Sequence, residues 1–291
     1  MRITEYQSIT GELLRVRKKR NECVKYLHEK YPSVSQDTLS SIYSQFYQRK
    51  IKRDFPKHHK RNSINKYTQQ YHVASSRRER EGFVSRLADK IDFPATLLAR
   101  IILEEILKEN SQSNVSKALI SQCIKQPQNI PDKILSREVE ICIQNDQLCG
   151  PLIDSIKKEI GLKYEKVLHD TLVERDIAYY HEDTLRKEGY DKTPDFKLVV
   201  PILVDSHVIH WIESKALFGD EESHGGYLEN QFWSYTNRFG PGLVIYWFGF
   251  IDELDVNLER GLMLKDEFPN NIITIESLLD EDFKNFTINS F

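Results

Sequence analysis

The chain has 291 residues, of which 40% are hydrophobic and 11% aromatic. That excludes a disordered chain and gives room for two domains or one large one. No apolar run approaches a membrane span, and Met1-Arg2-Ile3-Thr4-Glu5 lacks the apolar stretch of a secretory leader.

The net charge of −3 conceals an asymmetry. The first eighty residues hold 19 Lys and Arg against 7 Asp and Glu, a net +12 that leaves −15 for the remainder. A basic head on an acidic body suits a face turned to nucleic acid, because cations release counterions when they meet phosphates. A solubilising surface would carry the same charge. Cys23, Cys123, Cys142 and Cys149 are scattered without a C-x-x-C pair, so they read as thiols of a reducing compartment rather than a zinc site.

The first half reads as helical throughout. Arg15 to Lys30 is basic with apolar residues interspersed, and Tyr31-Pro32 stops it. Ser35 or Asp37 caps a second helix from Thr38 to Arg53. Helix, short turn and helix ending in Gln48-Arg49-Lys50-Ile51-Lys52-Arg53 is compatible with a helix-turn-helix. The basic residues that would face nucleic acid are Arg49, Lys50, Lys52, Arg53, Lys57, Lys60 and Arg61. From Phe55 to Arg80, cations alternate with rings, notably Tyr67 and Tyr71. That pattern suits single-stranded or branched nucleic acid, and equally an amphipathic helix with tyrosines on its buried face. Four more helices follow, Phe83 to Ile91, Ala95 to Glu109, Val115 to Lys125 and Ile134 to Asn145, with a polar break at Asn110 to Asn114. Cys149-Gly150-Pro151 closes this half, dividing a helical domain, 1–150, from a second domain, 151–291.

The second half alternates helix and strand. Leu152 to Arg175 is a helix with Ile156, Ile160, Tyr164, Val167, Leu168 and Leu172 at helical spacing. Glu165 lies beside that stripe, either solvated or within reach of the sheet's end. A short strand, Ile177 to Tyr180, leads to a hairpin from Asp195 to Lys215 folded about Asp205-Ser206. Pro201 inside its first strand implies an edge or a bulge. The fold about Asp205 sets Asp195 opposite Lys215 or its neighbour, with Glu213 a diagonal neighbour. Glu213 and Lys215 point to one face because strand residues alternate. Two carboxylates and an ammonium therefore gather at one end of the hairpin. Two close carboxylates repel and raise one pKa, a conflict that a divalent cation removes. Carboxylate oxygens suit Mg²⁺ or Mn²⁺, and a lysine beside the ion can orient a water. This is equipment for phosphodiester hydrolysis. Phe218 to Gly226 reads as a glycine-rich loop near the site, and Tyr227 to Arg238 as a helix with Gln231 and Tyr235 on one face. Leu243 to Phe250 is a buried central strand. Ile272 to Ile275 is a further strand, before a terminal helix.

Thr193-Pro194-Asp195, Glu213-Ser214-Lys215 and Gln231-x-x-x-Tyr235 together resemble the PD-(D/E)XK nucleases, with the last element like their RecB-like branch. More closely the chain resembles the codanin-interacting nuclease family, through Gly189 to Phe196, His210 to Ala216, Gln231 to Tyr235 and Arg238 to Trp247. The resemblance implies an α/β protein: a helical, helix-turn-helix-like region, then a restriction-endonuclease-like αβββαβ domain. It implies catalytic roles for Asp195, Glu213, Lys215, Glu165, Gln231 and Tyr235, and Mg²⁺ or Mn²⁺ on Asp195, Glu213 and the Ser214 carbonyl. It also implies nucleic acid, DNA before RNA, as substrate and codanin as partner. The setting it implies is nuclear and also cytoplasmic, linked to histone supply, chromatin assembly and erythroid differentiation. The alternative is a silent adaptor that keeps the fold to bind codanin. Oligomeric state is not specified.

Overall fold

The computed structural model describes residues 1–16, 20–110 and 115–274. In chain order the helices of the first half are α1 (Ile3–Arg15), α2 (Arg20–Lys30), α3 (Gln36–His58), α4 (Arg61–Ser76), α5 (Phe83–Ile91), α6 (Ala95–Asn110), α7 (Lys117–Lys125) and α8 (Lys133–Asn145). Then come α9 (Pro151–Glu174), β1 (Tyr179–His181), α10 (Glu182–Lys187), β2 (Phe196–Val204) and β3 (His207–Lys215). The remainder is α11 (Glu221–Tyr227), α12 (Trp233–Phe239), β4 (Gly242–Tyr246), β5 (Leu262–Lys265) and β6 (Ile272–Ile273). A helical first half followed by a mixed sheet makes this an α/β protein. Among the described residues no helix is long and apolar enough to cross a membrane.

The chain divides into two compact units. One comprises Met1–Ile42 with Ile160–Phe291, the other Tyr43–Glu159. This differs from a single cut after Gly150, because the first helices belong with the sheet. The reason is local bonding: Ile3 N–H donates to the Glu253 carboxylate at 3.0 Å, and Thr38 Oγ1 donates to the Phe248 carbonyl at 2.8 Å. Tyr6, Ile9 and Leu13 form the buried side of α1, a helical stripe that the basic composition of this region masks.

The helical unit is built around α6, whose Leu98, Ile102 and Leu103 are wholly buried among α4, α5 and α8. Each such side chain contributes about 1.5–3 kcal/mol relative to exposure. Burial decides between the two readings of the basic-aromatic stretch. Tyr67 and Tyr71 face the core, with hydroxyls on His58 Nδ1 and Asp132 Oδ2. The residues expected as a polar break at 111–114 lie outside the described ones, as does the terminal helix expected beyond 275.

In the other unit the strands run in the order β1-β2-β3-β4-β5, with β6 also on β2. β1, β2 and β3 are antiparallel; β4 lies parallel to β3, and β5 parallel to β4. β4 is buried along its whole length between β3 and β5, as its unbroken apolar run requires. β5 was not legible in the sequence: four residues, Leu262 to Lys265, carry no alternation to mark them. At Gly242 a Cβ would stand 2.0 Å from the Trp211 ring, so only glycine lets β4 pass that indole.

The hairpin turns on Asp205 and Ser206, both left-handed, at φ 47° and 67°. Its ladder is not continuous. Ile202 pairs with Ile209 near the turn, but Lys197 pairs with Trp211 and Phe196 with Ile212. The shift falls around Pro201, which has no N–H for a ladder. Continued one residue past Phe196, the pairing sets Asp195 beside Glu213 rather than beside Lys215. Two further expectations are corrected here. Glu221 to Tyr227 is helix α11, not loop, because Asp220 and Ser223 cap it reciprocally. And a π turn, Leu228–Phe232, links α11 to α12.

Candidate active site

Asp195 and Glu213 are fastened to each other through the main chain. Asp195 N–H donates to Glu213 Oε2 at 3.1 Å, and Ser214 N–H donates to Asp195 Oδ2 at 2.8 Å. The strand pairing creates this closeness, since Asp195 leads into the start of β2 beside the point where Glu213 and Ser214 reach the end of β3. Lys215 Nζ donates to Glu213 Oε1 at 2.5 Å. Both side chains are withdrawn from water, Glu213 at 4% and Lys215 at 13% exposure. The lysine's ammonium also stands 4.7 Å from the centre of the Tyr227 ring and 5.9 Å from that of Phe232. An ion pair so enclosed keeps one geometry, and removal of either member would strand the other.

The electrostatics reflect crowding. Burial pushes the Asp195 carboxyl well above the usual carboxylate range, and the neighbouring Glu213 charge pushes it further; Lys215 and the Ser214 N–H pull it back only in part. Burial works against the Lys215 ammonium, but Glu213 and Asp195 outweigh it and hold its pKa above the ordinary lysine value.

Glu165, half-buried on α9, belongs to the same field. Burial raises its pKa, and the charges of Glu182 and Glu213 raise it further. It makes no hydrogen bond or ion pair among the described residues. Tyr235 is buried, its ring 5.3 Å edge-on from Trp211, and burial with the charges of Glu213 and Asp195 keeps its hydroxyl protonated. Gln231 lies within the π turn. Its Oε1 is buried without a hydrogen-bond partner, and no hydrogen bond or ion pair joins it to Asp195, Glu213 or Lys215.

Sequence reasoning missed the supports of the Thr193-Pro194-Asp195 segment. Glu182 N–H donates to the Asp195 carbonyl at 3.2 Å. Arg186 spans Glu182 Oε2 at 2.8 Å and Thr193 Oγ1 at 3.4 Å. Arg238 reaches Asp191 Oδ1 at 3.0 Å and the Lys192 carbonyl at 3.2 Å. Trp247 Nε1 donates to Ser214 Oγ at 2.8 Å. Apart from the i,i+4 pair Glu182–Arg186 on α10, none of these partners has a sequence spacing that announces it. A cleft of about 330 Å³ opens at the other end of β3 and β4, lined by His207, Pro241 and Arg260, away from the carboxylates.

The donor set suits a hard, well-hydrated cation. Among the described residues no three His, Cys, Asp or Glu side chains converge into a full metal cage. Mg²⁺ needs only one or two carboxylates, with waters and substrate oxygens filling its shell. Among the described residues Asp195 Oδ1 accepts no hydrogen bond, and the Glu213 charge, second to burial in raising the Asp195 pKa, is a repulsion that a cation would cancel.

In the helical unit the basic residues at the end of α3 and start of α4 are largely engaged with carboxylates. Lys50 pairs with Asp92, and Arg53 and Lys57 pair with Asp54 at 3.6 and 2.9 Å. Arg61 pairs with the buried Glu105 at 2.6 Å. Lys52 and Lys60 are exposed without such a partner, and Arg49 is half-buried.

Three comparisons bear on this arrangement. The family described as "Protein of unknown function TPD sequence-motif" matches residues 131–268, which contain the whole site. A human protein named "CDAN1-interacting nuclease 1" is 50% identical over 254 residues, 87% of this chain and 90% of its own length. Proteins of the same name from Mus musculus and Danio rerio are 48% and 46% identical, each over 93% of this chain and over 96% and 90% of their own lengths. No solved structure matches.

Proposed function

The chain belongs to the codanin-interacting nuclease family, and from that premise we propose that it is a divalent-metal-dependent nuclease with Asp195, Glu213 and Lys215 at its centre. The observation that supports this most is the mutual fastening of Asp195 and Glu213, with a buried Lys215 on the second carboxylate. Asp195, Glu213 and the Ser214 carbonyl would hold Mg²⁺ or Mn²⁺. The ion would supply Lewis acidity toward a phosphodiester oxygen and lower the pKa of a water. The chain's own groups do the positioning. Lys215, kept charged and aimed by Glu213 and Tyr227, orients the water and balances negative charge on the phosphate. Glu165, facing the same field, would accept hydrogen bonds from water held at the site. Tyr235 braces β3 through Trp211, and Gln231, its Oε1 buried, is part of the same bracing helix rather than a contact to substrate. With the short helices α10 and α11 set aside, the element order α9-β1-β2-β3-α12-β4 supports a restriction-endonuclease-like fold for this unit.

The relatives' names refer to CDAN1, and the corresponding proposal is that this chain acts in a codanin complex, in the nucleus and also the cytoplasm. DNA is the proposed substrate. The test is incubation of the protein and Mg²⁺ or Mn²⁺ with labelled single-stranded, duplex, flap and four-way-junction DNA, and matching RNA, beside the Asp195→Ala protein. Cleavage by the first protein alone supports the enzyme. No cleavage of any substrate by either protein, with codanin still bound, identifies an adaptor instead.

A further inference from the structure

The corner between α4 and α5, residues 77 to 82 in the helical unit, is basic and unusually well fixed. Arg78 takes a left-handed conformation at φ 50° and closes α4: its N–H meets the Ser75 carbonyl at 3.1 Å, and the Glu79 N–H meets that of Ala74 at 3.0 Å. Arg86 clamps the outside of the corner, with NH2 on the Arg80 carbonyl and NH1 on the Glu81 carbonyl, both at 2.8 Å. From below, the buried Glu138 takes the N–H groups of Gly82 at 2.6 Å and Val84 at 3.0 Å. A buried carboxylate is thus devoted to holding this turn.

What the frame presents is charge. Arg77, Arg78 and Arg80 are exposed, and among the described residues none has a carboxylate within ion-pair reach. Glu81 is taken by Arg137 at 3.1 Å, so Glu79 is the corner's only other acid. Along the end of α3 and the start of α4, Lys52 and Lys60 are likewise exposed without a carboxylate among the described residues, so the contrast lies in the other cations there. Lys50, Arg53, Lys57 and Arg61 must break existing pairs before they can meet a phosphate. The corner arginines give up only loosely held counterions, and each guanidinium can grip a phosphate with two parallel N–H bonds. A fixed frame reduces the ordering cost of that grip.

We infer that the α4–α5 corner is the phosphodiester-backbone contact of the helical unit, made by Arg77, Arg78 and Arg80 in preference to the basic end of α3. Contacts of this kind read backbone rather than sequence. The inference rests on the proposal that nucleic acid is the substrate, and its test reads binding alone so that the two can fail separately.

The test measures fluorescence anisotropy of labelled oligonucleotides with the Asp195→Ala protein across a salt series. Arg77→Gln, Arg78→Asn and Arg80→Gln are then combined in that background. Asparagine tolerates the left-handed position, and all three sites face solvent, so an unchanged melt is expected. The triple variant should bind about tenfold or more weakly, with a log–log salt slope smaller by about 2 to 3. Arg53→Gln with Lys57→Gln should leave both nearly as they were, and Glu79→Gln should tighten binding. A triple variant with the affinity and slope of its parent overturns the inference, as does an equal or larger loss from the α3 pair. Weaker binding of polyglutamate but not of oligonucleotide by the triple variant also overturns it. If the Asp195→Ala parent binds no oligonucleotide, the corner inference falls, while Mg²⁺-dependent cleavage by the unmutated protein separately decides the nuclease reading.

Discussion

The N–H of Ser214 points to Asp195 Oδ2 at 2.8 Å while the N–H of Asp195 points to Glu213 Oε2 at 3.1 Å. Two strand ends are therefore locked by the very side chains proposed to meet the metal. Geometry at the site and pairing of β2 with β3 cannot vary independently.

The first consequence concerns charge and pH. Because the folded Asp195 holds its proton more strongly than an unfolded aspartate does, the metal-free fold is favoured in acid and loses that stability as pH rises through the raised pKa. Mg²⁺ should reverse the trend. Asp195→Asn keeps an acceptor for Ser214 and removes the repulsion. Melting curves without metal should therefore show the variant more stable than the parent at pH 8, with the difference vanishing near pH 3, and Mg²⁺ should stabilise only the parent.

A second pH effect runs the opposite way. His224 is buried beside the Tyr246 hydroxyl, 3.0 Å from its Nδ1, and burial lowers its pKa to about 4. An unfolded histidine takes up its proton near pH 6.5, so the folded state loses stability between about 6.5 and 4 as pH falls. The His224 main-chain N–H donates to the Asp220 carbonyl at 2.8 Å, and burial alone accounts for the lowered pKa. His224→Gln should flatten the acid side of a melting-temperature profile and leave the alkaline side unchanged.

Lys215 separates chemistry from stability. Lys215→Met leaves Glu213 buried and unpaired, at a cost of about 3–5 kcal/mol, and should slow cleavage about 10²- to 10⁴-fold. The burial of the pair is what makes the substitution costly to the fold as well as to the chemistry. Adding Glu213→Gln should restore most of the stability in urea unfolding while activity stays absent. Recovery of activity along with stability would assign the pair a structural role.

The hairpin turn offers a gain. Ser206 sits at φ 67° and donates no hydrogen bond that fixes it there. Ser206→Gly should stabilise the protein by about 1 kcal/mol, read as a higher urea midpoint at constant slope. Asp205 is better left alone, because Lys265 Nζ holds its Oδ2 at 2.7 Å.

The sequence carried most of the helices from α2 to α9, the hairpin and its turn, the buried β4, and the gathering of Asp195, Glu213 and Lys215, since these follow from periodicity and strand alternation. It could not place Asp195 beside Glu213 rather than Lys215, because the register shift near Pro201 changes which residues face each other without altering the pattern. Nor could it reveal Arg238 and Trp247 as supports, which act through tertiary contacts with no local signature, or tell that the i,i+4 pair Glu182–Arg186 reaches the Asp195 segment. The Asp220–Ser223 capping box was readable but was overshadowed by the two glycines that follow. The first helix was hidden for a different reason, its apolar stripe being short and flanked by cations.

The account stands or falls on whether Asp195 and Glu213 share a cation. Calorimetric titration of Mg²⁺ into the protein at pH 8, beside the Asp195→Asn and Glu213→Gln variants, measures this directly. The prediction is a saturable, single-site heat for the parent, absent from both variants, with affinity that weakens as pH falls and Asp195 takes up its proton. No saturable heat for the parent, or the same heat in all three proteins, would contradict it.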